Sequence, residues 1–157
     1  DIVQITFTNN HILFNLNNTK VISRLLDGKF VNYLSLLPHE YKILVDVKKQ
    51  DLQNCIERAS LMSKDNNSNL IKLDFKEDGV IITSNSQLGK VKEELDLNLQ
   101  GEGIQIAFNS RYVLDVLKNI DDENILMEMT SSVSPCVIKC KQNNNSKYLV
   151  LPVRLMR

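Results

Sequence analysis

Cys136 and Cys140 lie four residues apart, a spacing that on a strand puts two thiols on one face. A metal would ask for two more ligands, and the candidates, Cys55, His11 and His39, are far away in sequence. Three cysteines without CxxC spacing read as buried thiols of a reducing compartment, the cytoplasm, rather than as a disulfide framework. Asp121-Asp122-Glu123 could hold a cation, but falls where a helix-to-strand turn is expected and reads as solvated. None of the five glycines, Gly28, Gly79, Gly89, Gly101 and Gly103, opens a GxGxxG or GxxxxGK phosphate loop. Two histidines without a Ser or Cys partner in a known motif give no nucleophilic triad. The chain therefore reads as non-enzymatic, with no metal and no cofactor.

Recognition chemistry is better supplied. Tyr148-Leu149-Val150-Leu151 is a compact apolar run after the polar cluster Gln142–Ser146, as a buried strand should be. Pro152 stops it, having no N–H for a ladder. Val153-Arg154-Leu155 then alternates apolar and charged at the chain end, where sequence is usually polar. Such a tail suits docking or the wall of a groove. Tyr112 and Val116 fall off the main apolar stripe of a predicted helix, either as ordinary core or as a groove wall. Leu61 sits about 180° around another predicted helix from Leu52, at ~100° per residue, so it faces away from the buried stripe, and Met62 adjoins it. Lys48, Lys49, Arg58, Lys64, Arg111 and Lys118 lie on or beside the two helices, as either a solvated face or a surface for phosphate.

These residues need elements to place them. In the 157 residues, apolar content of 43% and charged content of 24% suit one globular domain, or one plus a fragment. No apolar run reaches the ~18 residues of a membrane span. Nineteen basic side chains balance 19 acidic ones, which argues against tight, direct binding of DNA phosphates. A ring that encircles DNA escapes that argument, because topology retains it.

Residues 1–26 spell three strands: Ile2–Phe7, Ile12–Leu16 and Val21–Leu26, the last followed by an Asp27-Gly28 turn. Phe30–Pro38 reads as a connector. Residues 41–99 and 103–155 each spell strand–helix–strand–strand–strand, with helical faces at Leu52, Cys55, Ile56, Ala59 and at Val113, Leu114, Leu117, Ile120. Asn109 or Ser110 is the expected N-cap of the second helix. The repeat predicts an α+β fold with two helices side by side and two four-stranded antiparallel sheets. The opening strands look like the end of one more such unit, cut from a longer chain.

Three ordered segments carry a family resemblance: Arg24-Leu25-Leu26-Asp27-Gly28-Lys29-Phe30, Phe108–Leu117 and the tail Tyr148–Arg157. They resemble the bacterial sliding clamp, the beta subunit of DNA polymerase III. The resemblance implies the DNA-clamp fold of duplicated β-α-β-β-β units, with residues 1–37 closing a middle domain and 38–157 forming a third domain. It implies a processivity factor whose ring encircles duplex DNA without sequence preference. Its partners would be the polymerase alpha subunit, the clamp loader and other proteins with a clamp-binding motif. It further implies a peptide groove lined by Asn109, Tyr112, Val133, Pro135, Leu149, Val150, Leu151, Pro152, Val153 and Arg154, with Val31, Ser35 and Leu36 at its other end. Ser35 departs from relatives that carry a basic residue there, and Val31 from those with proline. Leu61, Met62, Lys92 and Glu93 match a head-to-tail interface of a homodimeric ring, and the six basic residues above match the DNA-facing helices. The rival readings are a nucleotide-binding or small enzymatic α+β domain without a visible motif, and a structural oligomerisation domain.

Overall fold

The computed structural model describes residues 2–63, 69–87, 89–142 and 146–155. They fall into two compact units, 1–33 and 34–157. The first is an antiparallel meander of β1 (Gln4–Phe7), β2 (His11–Leu16) and β3 (Thr19–Arg24). Its register sets Ile5 opposite Phe14 and Phe14 opposite Val21, gathering apolar side chains on one face. The third strand begins and ends two residues earlier than the sequence suggests. Leu25 still donates its N–H to the Asn10 carbonyl at 2.8 Å, but Leu26 is already 98% exposed, beyond the reach of β2.

The second unit begins at Leu34, within a short 3-10 turn (Tyr33–Ser35). It then runs β4 (Ile43–Lys48), α1 (Lys49–Ser63), β5 (Leu70–Lys76), β6 (Gly79–Ser86), β7 (Gly89–Asp96) and β8 (Asn98–Gln100). After these come β9 (Ile104–Asn109), α2 (Ser110–Lys118), β10 (Asn124–Met129), β11 (Cys136–Cys140) and β12 (Lys147–Val150). Every strand pairing is antiparallel. One sheet has the order β12-β11-β10-β4-β8 and the other β7-β6-β5-β9. The expected pair of four-stranded sheets is thus corrected to five and four. The additional strand, β8, arises because the chain leaving β7 bends at Leu97 and lays Asn98–Gln100 along the free edge of β4.

The halves of the repeat exchange their first strands. β4 joins β10, β11 and β12, and β9 joins β5, β6 and β7, so each sheet mixes both halves. Gly101 makes the switch from β8 to β9 possible: its φ is +105°, and a Cβ there would run into the Lys42 carbonyl.

Alternation on the strands follows from one buried face each. β5 and β10 both read inward at every second residue, Ile71, Leu73 and Phe75 on one, Ile125, Met127 and Met129 on the other. The helices cover these faces. α1 contributes Leu52, Cys55, Ile56 and Ala59, and α2 contributes Val113 and Leu117, all 5% exposed or less. Each such Leu, Ile or Phe contributes roughly 1.5–3 kcal/mol on burial before ordering costs. α1 and α2 also touch each other, so they lie side by side over the two sheets.

Candidate functional site

The tail is built on the seam between the sheets. β12 is the outer strand of one sheet and β9 of the other. Pro152 ends the first, and one residue later Val153 donates its N–H to the Ala107 carbonyl at 2.8 Å. Ile106, Ala107 and Phe108 are buried in succession, so both faces of β9 are covered at this point. A small residue at Ala107 suits such a close crossing.

Beside the crossing opens a cleft of about 670 Å³, lined by Ile106, Ala107, Val133, Val153, Arg154 and Leu155 together with Gln105 and Ser132. Val133 is presented on a turn closed by a 2.7 Å hydrogen bond between the Ser131 and Ser134 hydroxyls. It is 59% exposed, so an apolar ligand would gain by covering it. The cleft sets apolar side chains beside Gln105, Ser132 and the Arg154 cation, and no acidic or histidine side chain lines it among the described residues. Such a lining suits a ligand with both apolar and polar groups.

Of the residues expected around a groove, Val133, Val153 and Arg154 meet in this cleft. Asn109 caps α2, its side-chain oxygen accepting the Arg111 N–H at 3.0 Å, which decides between the two N-cap candidates. Tyr112 is 59% exposed on the first turn of α2, and Leu151 is 65% exposed beyond β12. Leu149, Pro135 and Pro152 are half-buried. Val150 is a core residue, because alternate positions on β12 face inward. Ser35 and Leu36 open the second unit and are exposed, whereas Val31 belongs to the first unit and accepts a bond from Tyr33. Leu155, read in the sequence as part of the tail, also lines the cleft, whereas sequence reasoning missed Gln105, Ile106, Ala107 and Ser132. The lone alanine among the bulky residues of β9 was the available signal.

On the other side of the unit, the Arg58 guanidinium reaches from α1 to Glu93 on β7, with Nη2 2.5 Å and Nε 3.0 Å from Oε2. Its hydrogen bond holds the Glu93 carboxyl below the usual glutamate range, and Glu93 in turn raises Arg58. The same guanidinium donates to Cys55 Sγ at 3.2 Å, yet burial still pushes that thiol up. Lys92 pairs with Glu94 along the strand. Arg58, expected among the DNA-facing cations, thus shares an ion pair with Glu93 of the expected subunit contact.

Leu61 is 62% exposed and lines a cleft of about 580 Å³ between the helices, with Glu57, Arg111, Leu114, Asp115 and Lys118. Met62, expected to be exposed beside it, is half-buried. The correction has a helical cause: Met62 stands three residues after Ala59 and so returns to the buried stripe. Lys48, Arg111 and Lys118 are exposed. Lys49 donates from Nζ to the Ile120 carbonyl at 2.8 Å, a cation at the C-terminal end of α2 where the helix dipole favours one. Lys64 lies outside the described residues.

Among the described residues no three His, Cys, Asp or Glu side chains are grouped to hold a metal. Asp122 instead accepts the Gln142 N–H at 2.9 Å. Burial pushes the Cys136 thiol up to about 12, so it stays protonated and inert at neutral pH. Burial also raises Cys140. No helix among the described residues is long and apolar enough to cross a membrane.

The sequence of this unit matches the family described as DNA polymerase III beta subunit, C-terminal domain, over residues 34–154. The chain is 36% identical over 154 residues to the beta sliding clamp of Staphylococcus aureus, covering 97% of this chain and 41% of that protein. Against the clamp of Staphylococcus epidermidis the identity is 35% over the same shares. Among solved structures, it is similar to the beta chain of DNA polymerase III from Streptococcus pneumoniae, with a TM-score of 0.87 and 31% identity over 98% of this chain and 41% of that one. The Bacillus subtilis sliding clamp gives 0.85 and 33% over the same shares. The chain thus spans about two fifths of the length of the clamps it matches. With the duplicated antiparallel fold, the paired helices and these matches in agreement, the chain belongs to the bacterial sliding-clamp family, the beta subunit of DNA polymerase III.

Proposed function

We propose that this chain is the peptide-binding end of a DNA sliding clamp, a non-catalytic processivity factor acting in the cytoplasm. Residues 1–37 would close the middle domain and 38–157 form the third. In the whole protein, a head-to-tail homodimeric ring would encircle duplex DNA, with Leu61, Met62, Lys92 and Glu93 at the subunit contact. Lys48, Lys49, Arg58, Lys64, Arg111 and Lys118 would face phosphate through water, without reading sequence.

The observation that carries the reading is the tail bond of Val153 to Ala107, which holds an apolar wall against an exposed Val133. That arrangement suits a short linear peptide with aliphatic and aromatic anchors, as in the alpha subunit or the clamp loader. Calorimetry with one such peptide tests it on the chain, on a form lacking residues 153–157, and on the intact subunit. Binding should fall by a few kcal/mol on removing the tail, as when a hot-spot wall is lost. The intact subunit should bind more tightly than the chain alone. Equal affinity in all three would put the groove elsewhere. Turnover of nucleotide substrates, without peptide binding or crosslinking to DNA, would favour an enzyme instead.

A further inference from the structure

α2 touches both strands that bring the tail to its crossing, β9 and β12. Its N-cap, Asn109, closes β9 two residues after Ala107. Its other end is fixed by side chains from two helices. The Asn119 amide donates to the Asp115 carbonyl at 2.7 Å, and Lys49 reaches from α1 to the Ile120 carbonyl at 2.8 Å. Onto this post β12 places Tyr148, whose hydroxyl donates to the Asn119 carbonyl at 3.1 Å. Carbonyls at the end of a helix lie at the negative pole of its dipole and accept such a bond well.

β12 has few other means of fixing its register. It has four residues, and among the described residues it pairs with β11 alone. A slip of one residue along β11 would turn Val150 out of the core, so burial resists it. A slip of two keeps every side chain on its own face, and alternation does not oppose it. It would carry the tail about 7 Å along β11 and take the Val153 N–H away from Ala107. A contact tied to one position of β12 opposes the slip. Tyr148 makes one, with its ring packed on the core and its hydroxyl on the end of α2.

The lengths agree with such a brace. From Asn109 to Asn119 the helix spans about 15 Å, and from Tyr148 to Val153 an extended chain spans about 17 Å. The tail thus runs back along α2 from its end to its start and arrives at Ala107. The structure assigns Tyr148 as a positioning residue of the tail cleft: anchored on the C-terminal end of α2, it sets where Val153 meets Ala107. Tyr148 lies outside the described lining of the cleft, so it acts through the chain that follows it. Its effect on a ligand rests on the peptide-binding reading; its effect on the tail does not.

Tyr148→Phe removes the hydroxyl and keeps the ring. In the 157-residue chain, exchange of the Val153 amide, followed by NMR, should quicken about fivefold, as on losing one neutral hydrogen bond. Ile56→Val trims the core on α1 instead and lowers overall stability; it should leave Val153 exchange and peptide affinity within about twofold. Calorimetry with a peptide carrying an aliphatic–aromatic anchor should show affinity falling about threefold in Tyr148→Phe and about tenfold in Tyr148→Ala, which also gives up the ring packing. Circular dichroism checks that each variant keeps its fold. A Val153 amide no faster in Tyr148→Phe than in Ile56→Val overturns the assignment. Faster exchange with unchanged peptide affinity confines Tyr148 to holding the chain end and overturns its role in the cleft. A parent chain that binds no peptide would sink the peptide-binding reading, and Val153 exchange would still decide the brace.

Discussion

At the β9 edge of the four-stranded sheet the tail crosses the strand, Val153 takes the Ala107 carbonyl, and both faces of the strand are covered. At the β7 edge no strand follows among the described residues, and lysines and acids flank the open side. Both devices manage the same hazard, an unpaired ladder that invites indiscriminate pairing. Covering an edge with an apolar tail leaves a cleft whose occupant must be hydrophobic. Guarding an edge with charge leaves a surface whose occupant must match a pattern. One sheet therefore presents two different rules of selection.

The largest effect should come at the covered edge. Val133→Asp puts a carboxylate into the cleft and should weaken peptide binding by about 2–4 kcal/mol while leaving melting nearly unchanged, since the side chain is exposed. Unaltered calorimetric affinity would dissociate the cleft from recognition. Next, Leu61→Lys in the intact subunit should weaken the dimer by about 1–2 kcal/mol by sedimentation, with the melting of the 157-residue chain unchanged. No loss of dimer would remove Leu61 from the subunit contact.

Asn109→Ala deletes the acceptor for the Arg111 N–H and should lower stability by about 1 kcal/mol, with Asn109→Asp restoring it. A denaturant titration reads both; loss of peptide binding without loss of stability would make Asn109 a ligand contact instead of a cap.

The smallest effect belongs to the charged edge. Arg58 lowers the Glu93 carboxyl, so the pair stabilises the fold above the ordinary glutamate range, and the contribution is lost as pH falls through the lowered value. Arg58→Ala should return the Glu93 titration, followed by NMR, toward its usual position and flatten that part of the acid-side stability curve. An unmoved titration would show that the ion pair does not form in solution.

Much of the fold was legible because its signals are local. Helical spacing identified Leu52, Cys55, Ile56 and Ala59, and alternation identified the strands, since each buries a single face. The duplicated order was visible in the chain. The exchange of β4 and β9 between sheets was not, because strand partnership is set by contacts far apart in sequence. β8 was hidden for a related reason: three residues carry almost no periodicity, and only the free edge of β4 makes them a strand. At the cleft, the tail's apolar character was readable, but its meeting with Ala107 depends on a bond spanning the whole second half of the repeat. The Arg58–Glu93 pair was missed because each residue alone looks like a solvated charge.

The exchange of first strands also bears on how the chain is made. A ribosome delivers β4 and α1 early, yet β4's long neighbour β10 arrives only after α2 has been synthesised. Likewise β5 waits for β9 before its second edge is paired. Neither half completes a sheet by itself: nascent β4 finds α1 and then β8 in its own half, but its edge toward β10 stays unpaired until the second half arrives. Folding of this unit should thus be a late, concerted event, and a break between β8 and β9 should yield two pieces that acquire structure only when mixed.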